Sequence, residues 1–585
     1  MMPRSGAGRG SRGPARGRWG AAAAHVDLRL AIPAAAGWTT TAAAIGIRGA
    51  AAPSAVAAAT VAVVCAGIAV GSAVRARACA TPTGSPDARP RIPRRRRARR
   101  ADASAARFRR AAAALAVTAG VTAMLLGAAA AREPSRHPEV LEAAAHADGM
   151  VFADAVVDEP PAPIASHSGS GPGPADRVRI VAHLTALHVG RDAIGRTVDA
   201  ALRLPAPVPV VVFATGADER HGGSAHAHPG VGTLLRVSAA VRATDPGDRA
   251  AYLLVARGAP EIAGGPAGPL GFADALRAGL ADASADLRGP GAELLPGLAI
   301  GDVSAVTPAL AQTMKDSSLT HLTAVSGANC AVIVGLVLAL AAAAGLRRPA
   351  RAVAALAALG AFVILVTPQP SVLRAAVMAA VLIVSTASGR PSRGLPALAV
   401  AVVVLLTNDP WLARDLGFAL SVLATAGLLV LAPPLADRLS RRMPRRLAEA
   451  LAIPVAAQVA CQPVLLVLQP GLPVHGVLAN VLAEPAAAPA TIGGLVACVI
   501  LPLWPAAGGL VLRLAWLPAS WIAAVASVMS RLPAGRVPWA AGPAGVIALT
   551  VAIALVIAVV ALGHPASARS AAAAVPTPGD VPPDG

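Results

Sequence analysis

Long apolar runs separated by short arginine-bearing stretches dominate this sequence. A run of roughly 17–25 apolar residues is long enough to cross a bilayer as a helix. Clear runs fall at 54–74, 111–131, 322–346, 351–367, 371–389, 395–407, 415–433, 450–468, 474–504, 507–530 and 543–563, and a weaker one covers 30–47 behind Arg29 and across Pro33. The pattern predicts an α-helical polytopic membrane protein with about 11–12 transmembrane helices. The run at 474–504 is long and carries Pro485 and Pro489, which predicts a broken or re-entrant element there.

One polar region, 132–320, interrupts the series. Inside it, 178–186 (VRIVAHLTA), 207–214 (PVPVVVFA), 232–241 (VGTLLRVSAA) and 250–256 (AAYLLVA) are β-prone runs punctuated by Gly, Pro and Asp, as at Asp245-Pro246-Gly247-Asp248. That spacing predicts a small β-barrel or sandwich. Segment 271–288 has apolar residues at 272, 276, 280 and 287 and reads as an amphipathic surface helix. The chain therefore divides into N-terminal membrane helices with an Arg-rich loop (1–131), an extracytoplasmic β domain (132–292), a second membrane domain (293–563) and a Pro-rich tail expected to be disordered (564–585).

Composition agrees with this division. Of 585 residues, 55% are hydrophobic and only 14% charged, against about 25% charged in soluble proteins. A disordered, collagen-like or disulfide-scaffold protein is excluded. The formal charge of +20 invites a nucleic-acid reading, but residues 132–320 carry 15 Lys and Arg against 21 Asp and Glu. The basic excess lies in short loops, 13 Arg within 75–110 alone, with others at Arg347, Arg348, Arg351, Arg390, Arg393, Arg438, Arg441, Arg442, Arg445 and Arg446. Only Arg414 falls in the alternate loops near 368–370, 408–414 and 469–475. Such alternation places the Arg-rich loops in the cytoplasm and region 132–320 outside. No metal site is expected: the five cysteines form no CxxC pair, and His226 and His228 lack a third ligand at suitable spacing.

The polar groups most able to carry chemistry cluster at 312–329. Gln312, Lys315, Asp316, Ser317, Ser318, Thr320 and His321 lead directly into a membrane helix bearing Ser326, Gly327 and Asn329. Polar residues at membrane depth cost free energy unless they pair or line a wet path. The segment is either a helix start with interhelical hydrogen bonds or the wall of such a path. Arg374 either snorkels to the interface as an anchor or faces a water-filled path and grips passing phosphates. Asp415 either complements the dipole at a helix start or pairs with Arg374. Gln458, Gln462, Asn480 and Glu484 add polarity further on.

The stretch LTHLTAVSGANCAVIVG resembles the signature of the ComEC family, the inner-membrane DNA channels of natural competence. His321, Leu322, Val325, Ser326, Gly327 and Asn329 match its core. The upstream PGLAIGD (Pro296–Asp302), PSVLRAAVMA (Pro370–Ala379) and NDPWLARDLGFALSVLATAGL (Asn408–Leu428) resemble neighbouring blocks in order. The resemblance implies a cytoplasmic-membrane channel that passes single-stranded DNA and is not an enzyme, with an OB-like outer domain. Its translocation path would run along His321, Ser326, Gly327, Asn329, Arg374, Asp415, Gln458 and Gln462, with no cofactor, metal or catalytic residue. Nothing in the sequence matches the HxHxDH motif of the metallo-β-lactamase-like domain many members carry, so any strand-degrading nuclease is expected on another protein or is absent. The cysteine-free 132–320 cannot form the outer-loop disulfide that some members have.

Partners follow from what the chain lacks. A sequence-tolerant single-strand site needs cationic walls and stacking aromatics; the acidic 132–320 offers only Phe152, Phe213, Tyr252 and Phe272. Capture is therefore expected from a separate DNA receptor, and drive from a cytoplasmic DNA-translocating ATPase or the membrane gradient, because no GxxxxGK[ST] motif is present. Membrane lipid is the remaining partner, and a homo-oligomer is left open. Two other classes compete. One is a small-solute transporter with helices broken near Ser326 and Pro485. The other is an intramembrane serine hydrolase using Ser326, with His321 or His475 as base and Asn329 as oxyanion donor.

Overall fold

The computed structural model describes residues 28–78, 92–163, 177–188, 201–215, 229–323, 327–366, 369–388 and 394–562. The arginines of 1–27, His226 and His228, Ser326, Arg390 and Arg393, and the tail 564–585 lie outside the described residues. The first helices are α1 (Ala31–Ala44), α2 (Ala51–Ala78), α3 (Ile92–Arg136) and α4 (Glu139–His146). Strands β1 (Met150–Val157), β2 (Ala162–Pro163), β3 (Arg177–His188), β4 (Ala201–Thr215), β5 (Leu234–Ala243), β6 (Tyr252–Ala256) and β7 (Glu261–Gly264) follow. Then come α5 (Gly268–Ala285), α6 (Pro290–Ile300), α7 (Pro308–Asp316), α8 (Thr320–Thr323), α9 (Gly327–Ala343), α10 (Arg348–Val366), α11 (Pro370–Ala387) and α12 (Gly394–Asn408). A 3-10 turn (Pro410–Arg414) leads to α13 (Leu416–Val430), α14 (Ala432–Leu439), α15 (Arg445–Leu468), α16 (Gly476–Ile500), α17 (Pro505–Arg531) and α18 (Gly542–Leu562), and β8 (Leu472–Pro473) pairs with β9 (Arg536–Val537).

Among the described residues, eight helices are long and apolar enough to cross a membrane, within α2, α3, α10, α11, α15, α16, α17 and α18. The α13–α14 pair, bent by 44°, makes a ninth, and the apolar helices Asn329–Ala343 and Gly394–Asn408 are shorter. The protein is a multi-pass membrane protein. The 474–504 run departs from expectation: α16 continues without a break through Pro485 and Pro489. A proline removes one i→i−4 bond and a helix surrounded by neighbours tolerates that loss. Here α6 and α17 pack along it.

Five strands close on themselves in the order β1-β3-β4-β6-β5-β1, with β4–β6 the one parallel pair and β2 and β7 added outside the ring. The small β domain is therefore barrel-like rather than a two-sheet sandwich. Alternation sends Ala153, Ala155, Leu184, Val210, Val212, Leu235, Val237 and Leu254 inward, and Leu141 of α4 joins that core. Burial, with Glu142 nearby, pushes the Tyr252 phenol up to about 12. The amphipathic helix α5 buries Leu276 and Leu280 as expected, together with Ala273, Arg277 and Ser284, whereas Phe272 is exposed. That face packs on the bundle, where Leu276, Leu280 and Leu294–Ile300 share one core with α16 and α17. Arg277 Nε and Nη2 donate to Leu365 O (2.9 Å) and Ile364 O (3.1 Å), capping the end of α10.

The turn between β5 and β6 fixes the barrel on the bundle. Arg136, at the end of α3, donates from Nη2 to Asp248 O (2.9 Å) and Arg249 O (2.8 Å), and its guanidinium sits 3.8 Å over the Trp411 ring. Trp411 Nε1 in turn donates to Pro246 O (3.0 Å). Trp38 Nε1 binds Ala413 O at 2.8 Å, so the 3-10 turn is gripped from both sides. This turn directly precedes α13, which carries half of the site described next.

Candidate functional site: a buried guanidinium among neutral groups

Arg374 lies one turn into α11, whose start is set by Pro370 in the first helical turn. The side chain neither snorkels to a surface nor faces open water: it is 5% exposed. Its Nε donates to Ser421 Oγ (2.9 Å), and Nη1 donates to Thr425 Oγ1 (2.7 Å) and approaches Met378 Sδ (3.3 Å). Ser421 and Thr425 are four residues apart and so share one face of α13. Thr425 Oγ1 gives its own hydrogen to Ser421 O (3.0 Å), which orients its lone pairs toward the guanidinium. Gly327 opens α9 beside this group. A Cβ there would stand 3.2 Å from both Arg374 Nη2 and Ala375 Cβ, a tight contact that the glycine avoids as α9 approaches.

No carboxylate among the described residues lies within ion-pair distance of Arg374. The chain explains why: no acidic residue occurs between Asp316 and Asp409, or between Asp415 and Asp437. Among the described residues, α9, α11 and α13 thus offer the guanidinium hydroxyl, thioether and alkyl groups and the nearby Cys330 thiol, and no carboxylate. Burying an ion without a counter-ion is costly, and the three neutral acceptors offset only part of that cost.

Asp415 does not join Arg374. Its Oδ1 accepts from Phe418 N (2.6 Å), capping the start of α13, so the helix-start alternative holds and the ion-pair alternative is not formed.

A second polar group gathers where α15 and α16 meet the lead-in to α9. Gln458 Nε2 donates to Gln462 Oε1, and Gln462, 6% exposed, keeps its own Nε2 without a partner. Gly476, the first residue of α16, packs on Ser318: a Cβ there would meet Ser318 Cβ at 3.1 Å, Ser318 Oγ at 3.2 Å and Gln458 Oε1 at 3.8 Å. Asn480 Nδ2 donates to Gly476 O at 2.7 Å. Ser318 itself adopts a left-handed backbone (φ 62°), a strained conformation for serine. His321, in the short helix α8, is exposed. Asn329 is half-buried within α9.

The structure therefore brings Gly327 and Arg374 together, and separately Gln458 and Gln462. Sequence reasoning missed the pairing of Arg374 with Ser421 and Thr425, although their four-residue spacing in an otherwise apolar helix was a usable signal. It also missed Arg136 and Trp411, which meet only through the fold.

A polytopic helix bundle carrying a small closed β-barrel defines the class of protein. Within it, residues 298–564 match the family model described as Competence protein. No curated protein and no solved structure matches the chain. The match runs from the end of α6 through α18 and so contains Arg374 and both of its α13 partners.

Proposed function

We propose that this chain is the membrane channel of natural transformation, passing single-stranded DNA inward across the cytoplasmic membrane. The competence match supplies the class, and the buried, carboxylate-free guanidinium of Arg374 carries the reading. Evolution would gain nothing from a buried cation with no counter-ion unless an anion arrives in passing, and phosphates fit the guanidinium fork bidentately. Ser318, Gln458, Gln462 and Asn480 offer neutral hydrogen bonds that wet a path without trapping a polyanion. His321, Ser326, Gly327 and Asn329 belong to the same path by their place around the start of α9, while Asp415 serves it as a helix cap.

The ring order with a single parallel pair supports an OB-like reading of the barrel, a fold whose strand 4–5 loop commonly holds oligonucleotides. Here the corresponding turn is spent on docking to Trp411 and Arg136. With the acidic balance of 132–320 this favours capture by a separate receptor, with a cytoplasmic ATPase pulling the strand; the chain acts as a conduit and not as an enzyme.

The test follows labelled DNA into cells. Without this chain, surface-bound label should persist while cytosolic label falls to background; the wild-type chain restores it, Arg374→Ala does not, and His321→Ala does so only partly. Normal arrival of DNA in the cytosol without the chain would overturn the reading.

A further inference from the structure

We infer that Arg374 also closes the idle conduit to small cations. The inference rests on the reading of the bundle as a conduit and adds a task performed when no DNA is present. A membrane channel that waits for a rare polyanion must not meanwhile dissipate ion gradients, and a narrow seam of hydroxyl and amide groups alone would not discriminate by charge.

Three observations carry the argument. First, the charge is fixed in place, because Ser421, Thr425 and Met378 hold the guanidinium from two helices. The backbone of Gly327 approaches it from a third. Second, the charge is uncompensated: α9, α10, α11, α12 and α13 contain no Asp or Glu at all. Third, the side chain is 5% exposed, so bulk water screens it little. At an effective dielectric constant near 20, a fixed unit charge about 6 Å away lowers the occupancy of a like-charged ion by ~100-fold. Fixed arginines exclude cations and protons from other narrow pores by the same repulsion. A strand of DNA would neutralise the group only while its phosphates lie against it, so the barrier lifts for the cargo and returns behind it.

The experiment uses the full chain in phosphatidylcholine vesicles with K+ and Cl− flux measured in the absence of DNA. Wild-type vesicles should hold a K+ gradient nearly as well as protein-free ones. Arg374→Gln should raise K+ flux by about tenfold or more, and Arg374→Lys, which keeps the charge, should not. Arg374→Met serves as a second uncharged variant, and each preparation is checked for a single monodisperse species. Equal K+ flux in wild-type and monodisperse uncharged variants would overturn the inference. DNA uptake by cells carrying the same variants is scored in parallel. Uptake lost with K+ flux unchanged removes the barrier and leaves the conduit standing, whereas K+ flux raised with uptake intact upholds the barrier and separates it from phosphate contact.

Discussion

Arg136 and Arg374 are almost equally buried, 7% and 5% exposed, yet the two regions that hold them use the guanidinium in opposite ways. At the junction of barrel and bundle, Arg136 spends its charge on two backbone carbonyls and an indole face. Around it Arg249 pairs with Glu159 (3.1 Å) and lies 3.7 Å from Asp409. In the bundle, the hydrogen-bond partners of Arg374 among the described residues are two hydroxyls and a thioether, with the Cys330 thiol nearby. The first arrangement is a clamp: Nη2 meets two permanent carbonyl acceptors and the indole face takes the guanidinium, although Nε has no partner among the described residues. The second leaves a positive charge without a counter-ion in a dry setting, which costs stability. Burial alone therefore does not describe how an arginine is held; the identity of its acceptors does.

Stability measurements break this comparison most strongly. Arg136→Ala removes two charge-assisted hydrogen bonds and a cation–π contact and should destabilise the junction by about 3–5 kcal/mol, with the 244–251 turn becoming sensitive to limited proteolysis. Arg374→Met should leave the thermal midpoint unchanged or raise it, because replacing an unpaired buried ion by a side chain of similar length relieves desolvation. Equal losses from the two substitutions, read by thermal unfolding in detergent, would erase the distinction. A smaller effect is expected at Asp415: Asp415→Ala loses the cap on α13, at about 1 kcal/mol, while DNA uptake stays near wild type. Uptake falling as far as in Arg374→Ala would return Asp415 to the path.

The weakest effect is that of pH at the junction. Burial, reinforced by Arg48, holds His137 below the ordinary histidine value of 6.5, although the Glu142 carboxylate at 3.3 Å pulls the other way. The folded state therefore binds fewer protons than the unfolded chain below pH 6.5. Stability is fully present above that value and declines as pH drops through it toward the lowered one. Thermal midpoints measured between about pH 7.5 and 5 should show this decline, and His137→Gln should flatten it. A slope unaffected by His137→Gln would assign the decline to other groups.

Much of the architecture was legible in the sequence because membrane spans announce themselves by length and apolarity alone. The run 351–367 became Arg348–Val366, and 371–389 became Pro370–Ala387. The strands at 178–186 and 207–214 were visible from β-branched content, but Met150–Val157 was not, since its inward positions are mostly alanine, which carries little strand signal. In α5 the leucines of the expected face, Leu276 and Leu280, are buried, but Phe272 is exposed and Ala273 takes its place. Proline signalled a break in α16 that neighbouring helices prevent. As for the site, composition marked Arg374 as unusual, but its burial and the neutrality of its partners depend on packing between α9, α11 and α13, which no local pattern encodes.

The account stands or falls on whether the positive charge at Arg374 is needed for passage. The direct measurement is the ratio of cytosolic to surface-bound labelled DNA in cells expressing the wild-type chain, Arg374→Lys or Arg374→Gln at equal membrane abundance. A ratio largely retained by the lysine variant and reduced to background by the glutamine variant is the predicted result. A glutamine variant that internalises DNA as well as the wild type would contradict it.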